Sequence, residues 1–177
     1  GDYIAVPGTK ISITSQIIAK NKCDVQLNKI EFLNQADTSI AKALETDKFY
    51  TFANKQKLSA FTPFSTPYWL IEKHPVSMYT VSNRQLIGKP ENDPAASVTF
   101  DITINGLNLS VERGLVYKYT DPVKGETYRP LEVLPPATIN IPDKVLVFNS
   151  NEPKTILITV KANKANVTGD LQIAIPK

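Results

Sequence analysis

The sequence predicts an all-β, mainly antiparallel fold in two units of unequal size. Three observations carry that reading. Apolar residues recur with a two-residue period in short runs, Gly, Pro, Asn and Asp punctuate the runs, and Asn105-Gly106 is the dipeptide that closes tight hairpins.

From Thr9 to Lys20, Ile11, Ile13 and Ile17 mark a half-buried strand after the Pro7-Gly8 turn, and Val25, Leu27, Ile30 and Phe32 mark a second after the polar break 21–24. Residues 34–48 are the one place where helix competes. Ala41, Ala43, Leu44 and Glu45 favour it and Asp37, Thr38 or Ser39 could cap it. So short a segment supports one or two turns or an irregular crossover. Strand composition returns at 48–53, and Lys55-Gln56-Lys57 begins a polar bridge to the proline-punctuated segment 61–67.

Tyr68-Trp69-Leu70-Ile71 and Met78 to Val81 read as short strands, with His74-Pro75 a turn between them. A long loop, 84–96, precedes Ser97 to Ile104, where Val98, Phe100, Ile102 and Ile104 alternate strictly. Asn105-Gly106 joins that strand to Leu107, Leu109 and Val111, because both turn residues must take positive φ. Residues 115–136 then read as the last strand of one β-unit, with Tyr117 and Tyr119 on one face, followed by a stiff connector ending at Pro135-Pro136. The second unit holds four candidate strands, at 137–141, 145–148, 154–162 and 171–175. Four short strands make a thin core alone, so this half either packs on the first or is a truncated sandwich.

Composition bounds the chemistry. With 177 residues, 42% hydrophobic and 21% charged, the chain is long enough for one large or two small globular domains. A net charge of +3, with Lys and Arg scattered among Asp and Glu, argues against a nucleic-acid partner. No apolar run reaches the roughly 20 residues of a membrane span. One cysteine, Cys23, and one histidine, His74, cannot form an internal disulfide or a His-rich metal site, so no metal or cofactor is expected. Gly1 followed at once by strand-like Tyr3 to Val6 reads as a cut end.

No catalytic constellation assembles. A triad built from Ser77, His74 and Asp93 lacks the strained elbow that exposes a nucleophile. Glu91, Asp93, Asp101, Glu112, Asp121, Glu126 and Glu132 offer carboxylate pairs but no spacing that brings two into one concave site. Glu91-Asn92-Asp93 could offer Ca²⁺ a few oxygens where six to eight are needed; a turn held by side-chain hydrogen bonds is the simpler reading. The sequons at Asn108 and Asn166 are set aside, the first because it lies in a strand.

Aromatic residues are the better candidates. Tyr68, Trp69, Tyr79, Tyr117, Tyr119 and Tyr128 fall near the proline-rich segments and could form a stacking platform, with Tyr68, Trp69, Tyr119 and Tyr128 the ligand-binding candidates, although a tryptophan in a small sandwich is more often core. Arg129 could pair bidentately with Asp121 or Glu126, a clasp that would fix the connector and the angle between the units.

Three stretches, PYWLIEKHPVSMYTV, LIGKPENDPAASVTFDITING and VYKYTDPVKGETYRPLEVLPP, resemble the region C-terminal to the catalytic domain in bacterial, Bacteroidetes-type LmbE-like (PIG-L) zinc-dependent N-deacetylases. The most specific parts are Pro67 to Leu70, Ile87 to Asn92 and Tyr119 to Pro122. The resemblance implies an immunoglobulin-like β-sandwich over 1–134 and a smaller or truncated NEW3-like β-unit over 135–177. The family's His-Pro-Asp-Asp zinc motif is missing, since Val76-Ser77 follows His74-Pro75. The chain is therefore expected to be a non-enzymatic accessory domain. Its implied partners are its own catalytic domain and a glycan, in an exported, extracytoplasmic protein. A carbohydrate-binding module and a protein-interaction or oligomerisation sandwich are the alternatives.

Overall fold

A computed structural model describes residues 3–33, 35–142, 145, 147 and 152–173, with the side chains of 35–38 left out of the description. The described residues form twelve strands and no α-helix.

Two sheets share one core. The first pairs β2 (Lys10–Ile18) antiparallel with β5 (Phe49–Lys57), with Ile17 opposite Tyr50 and Ile13 opposite Asn54. The second has the order β4-β3-β6-β7, formed by β3 (Val25–Phe32), β4 (Gln35–Ala43), β6 (Ser97–Ile104) and β7 (Leu107–Gly114). Ile13 and Tyr50 from the first sheet pack with Val25, Leu27, Ile30, Phe32, Val98 and Phe100 from the second in a single buried cluster. The two-residue period explains it: one face of each strand leaves water and the other stays in it.

Strand β3 departs from that period for a visible reason. Leu27 and Ile30 are three apart yet both fully buried, because the register against β6 shifts between Leu27 and Lys29. A bulge inserts one residue and returns the next apolar side chain to the core. Asn28 then donates to Thr103 Oγ1 at 2.8 Å, and Thr103 donates to Asn108 Oδ1 at 2.7 Å, tying three strands on the outer face. The Asn105-Gly106 hairpin forms as expected, with φ of 48° and 83°. It is locked to the start of β3 by Asp24 N–H donating to Asn105 Oδ1 at 3.1 Å.

Several expectations are corrected. Residues 35–43, expected as a helical turn or crossover, form β4 along the free edge of β3; pairing with a core strand outweighs the helix propensity of Ala and Leu. Ala41 takes a positive φ of 44° there, and the ladder slips twice. Lys55-Gln56-Lys57 is the end of β5 and pairs with Lys10 to Ser12. Tyr68–Leu70 is a single 3-10 turn and Met78 to Val81 is not strand, since neither segment has a sheet edge beside it.

The stretch 115–130, expected as a strand and connector, is a hairpin of β8 (Val116–Asp121) and β9 (Gly125–Pro130). Asp121 makes the turn. Its Oδ1 accepts from the backbone N–H of Lys124 and of Val123, both at 2.8 Å, and these two bonds, Lys124's first, hold its carboxyl below the usual range. Two short strands close the end of the molecule: β1 (Ile4–Ala5) runs parallel to β10 (Glu132–Val133), over a second buried cluster of Ala5, Leu58 and Val133.

Among the described residues beyond Pro136, only β11 (Ala137–Asn140) and β12 (Thr159–Ala162) pair, antiparallel. Of the expected strand 154–162 only the last four residues form one. Val145 and Val147 are not in strands, nor is 171–173; the rest of 145–148 and of 171–175 lies outside the described residues. No described residue after Pro136 is buried.

Candidate functional site

Between β5 and β6 the chain makes an excursion, residues 58–96, containing no strand. Its ends are pinned by named hydrogen bonds. Ser65 N–H donates to the Val133 carbonyl and Val133 N–H donates to Ser65 Oγ, each at 2.9 Å, which seats the outgoing limb on β10. Asn92 staples the returning limb to it: its Nδ2 donates to the Thr66 carbonyl at 2.7 Å while its Oδ1 accepts from Tyr68 N–H at 3.2 Å. One side chain thus serves the Tyr68 N–H that the 3-10 turn leaves open and the carbonyl of Thr66 just before it. Lys89 reaches both carboxylate oxygens of Asp93 at 2.9 Å.

The returning limb then meets the hairpin. A Cβ on Gly114 would lie 2.6 Å from the Pro94 ring, so only glycine allows that approach. The Leu115 N–H donates to the Ala96 carbonyl at 2.9 Å. Between the limb and the hairpin runs an open cleft of about 610 Å³, within the range of small-ligand sites. Trp69 and Glu91 line one wall and Tyr128, Arg129 and Glu132 the other.

The four aromatic candidates do not form one platform. Trp69 is half-buried and belongs to the cleft, not the core. Tyr68 packs against it edge to face, with ring centroids 5.0 Å apart. Tyr128 is exposed on the opposite wall, and its hydroxyl bonds Glu126. Tyr119 lies on the other face of the hairpin, because Tyr117 and Tyr119 alternate with Lys118, which stands opposite Tyr128; its ring stacks on Tyr117 at 5.9 Å.

The residues of the expected clasp take other partners. Glu126 pairs with Lys118, Asp121 caps its own turn, and Arg129 lies 3.8 Å from Glu132 and 4.0 Å above the Tyr3 ring. Arg129 therefore ties the hairpin to the strand pair β1–β10 rather than to its own turn. Tyr3, which the sequence did not single out, also sits 6.3 Å from Tyr117.

A second feature also escaped the sequence. The excursion exposes Phe61, Ile71, Val76, Met78, Tyr79 and Ile87, a density of large apolar side chains that isolated surface residues do not explain. Their aperiodic spacing between prolines was the available signal. His74 is exposed among them, with Nδ1 2.8 Å from the Pro75 carbonyl and its ring 4.9 Å from Tyr79. Among the described residues no three His, Cys, Asp or Glu side chains are grouped to hold a metal, and no helix is long and apolar enough to cross a membrane.

The stretches 67–81, 86–106 and 116–136 thus contribute Trp69, Glu91 and Tyr128 respectively to one cleft. Comparison of the chain with family models, with curated proteins and with solved structures finds no match in any of the three.

Proposed function

We propose that this chain is a non-catalytic, immunoglobulin-like accessory region of an exported sugar N-deacetylase, in which it seats the catalytic domain and lends the cleft to substrate. The observation that carries the reading is the convergence on one cleft of residues from three separate stretches, each part of the resemblance. The apolar surface of the excursion favours docking, because large exposed apolar groups of this kind mark interfaces. The cleft itself, with an indole, a phenol and carboxylates, offers the stacking and hydrogen-bonding groups that a sugar ring uses. The fold alone argues for none of this, since sandwiches host many roles.

The test mixes the chain with a separately produced deacetylase domain from a protein carrying all three stretches, and follows association by sedimentation. Saturable binding is expected. A variant with Ile71, Met78 and Ile87 all changed to Ser should lose it while unfolding at the same temperature. Retardation on a chitin-type affinity gel, abolished by Trp69→Ala without any association between the proteins, would instead make the chain a free-standing carbohydrate-binding module. Mass that rises with concentration of the chain alone would favour the oligomerisation reading.

A further inference from the structure

The layer formed by β2 and β5 is interrupted. Strand β2 uses one edge to pair with β5, and β8 uses one edge to pair with β9. Their other edges border a seam of about 330 Å³, lined on one side by the consecutive residues Lys10 to Thr14 and on the other by Leu115 to Tyr117. Side chains of a strand alternate between faces, so a wall made of consecutive residues is a backbone edge. Among the described residues no strand pairs with either edge; the bond from Leu131 N–H to the Leu115 carbonyl, at 3.3 Å, continues the β8–β9 ladder on the opposite edge of β8.

The seam is chemically two-sided. Its inner lining includes Ile4, Ile11, Ile13 and Leu131, all buried or half-buried. Its outer side belongs to the exposed face of β2–β5, where Lys10 stands opposite Lys57 and Ser12 opposite Lys55. That face reads Lys10, Ser12, Thr14, Gln16 along one strand and Thr51, Ala53, Lys55 along the other, and none of these residues is acidic.

We propose that the seam between β2 and β8 binds an extended peptide that alternates apolar and acidic residues, entering as an added strand. Its apolar side chains cover Ile11 and Ile13, its carboxylates face the lysines, and its backbone groups pair with edges that no described strand uses. This is recognition by strand addition, in which main-chain hydrogen bonds supply affinity and alternate side chains supply selectivity. Charge on the outer face sets the sign of the partner.

The probe is a capped Val-Glu-Val-Glu-Val-Glu peptide, followed by fluorescence anisotropy and by hydrogen exchange on the intact chain. Saturable binding is expected, with exchange of the amides in 10–14 and 116–117 that do not face β5 or β9 slowed at least about tenfold, as backbone pairing requires. Lys10→Glu, an exposed change that leaves the core alone, should weaken binding about fivefold, the size of an exposed ion pair, and should improve binding of the Val-Lys counterpart. Methylating alternate peptide nitrogens should abolish binding in the unmodified protein, whatever the variant does to folding. Three results would overturn the proposal: no exchange protection, equal binding of the methylated peptide, or seam amides already protected in free protein whose mass rises with concentration, which would assign the seam to a second copy.

Discussion

The four-stranded sheet and the C-terminal pair β11–β12 are written in the same alternating code, yet only one of them buries anything. In β6, Val98 and Phe100 are 2% and 8% exposed; in β12, Val160 is 56% exposed. The difference is the second layer. Strands β3 and β6 face Ile13 and Tyr50 across the core, whereas β11 and β12 are held by each other and by Asn163, which donates to the Pro135 and Pro136 carbonyls at 2.9 Å. Alternation selects which face would be buried. A partner sheet decides whether it is.

Four measurements break or sharpen that contrast. Leu27→Ala should cost about 2–5 kcal/mol in urea unfolding, the range for emptying a fully buried leucine site; a loss under about 1 kcal/mol would mean that the shared core is looser than its burial implies. Gly114→Ala should cost about 1–3 kcal/mol, because the new methyl meets the Pro94 ring, which cannot swing away. The same assay checks it, and Pro94→Ala should relieve part of the loss.

The third is local. Asp121 has a depressed carboxyl pKa in the folded hairpin, so its contribution is complete above the unfolded value and disappears as pH falls through the folded one. Exchange of the Lys124 amide should accelerate over that acid range while amides of β3 and β6 stay protected; Asp121→Ala should remove the pH dependence. The smallest effect belongs to Val160→Ser, expected within about 0.5 kcal/mol of the parent. A large loss there would show that β12 meets a surface which its exposure does not reveal.

How much of this was legible follows the same division. Asn105-Gly106 named its own hairpin, because a tight turn is a local property of the backbone, whereas the bulge between Leu27 and Ile30 emerged only from the pairing with β6. Strand β4 was hidden: Ala41, Ala43 and Leu44 favour helix until the free edge of β3 is beside them. Tyr68 to Ile71 and Met78 to Val81 have strand composition and no edge to join. At the site, Trp69 and Tyr128 were recognisable as aromatic candidates, but their meeting in one cleft depends on Asn92 and Ser65 pinning a long excursion, and on Arg129 reaching Tyr3. Contacts across such distances leave no spacing to read.

The central strand β3 has a consequence in time as well as in space. One of its neighbours, β4, follows it almost at once, but the other, β6, arrives much later: the bond between Asp24 and Asn105 spans 81 positions. At about 5–20 residues per second, a ribosome needs roughly 4–16 s to cover that interval. Throughout it, Val25, Leu27, Ile30 and Phe32 have been made and their second flank has not. The chain must therefore carry an open, apolar strand edge during its own synthesis, and conditions that slow elongation without slowing collapse should lengthen its exposure to holding chaperones and to aggregation.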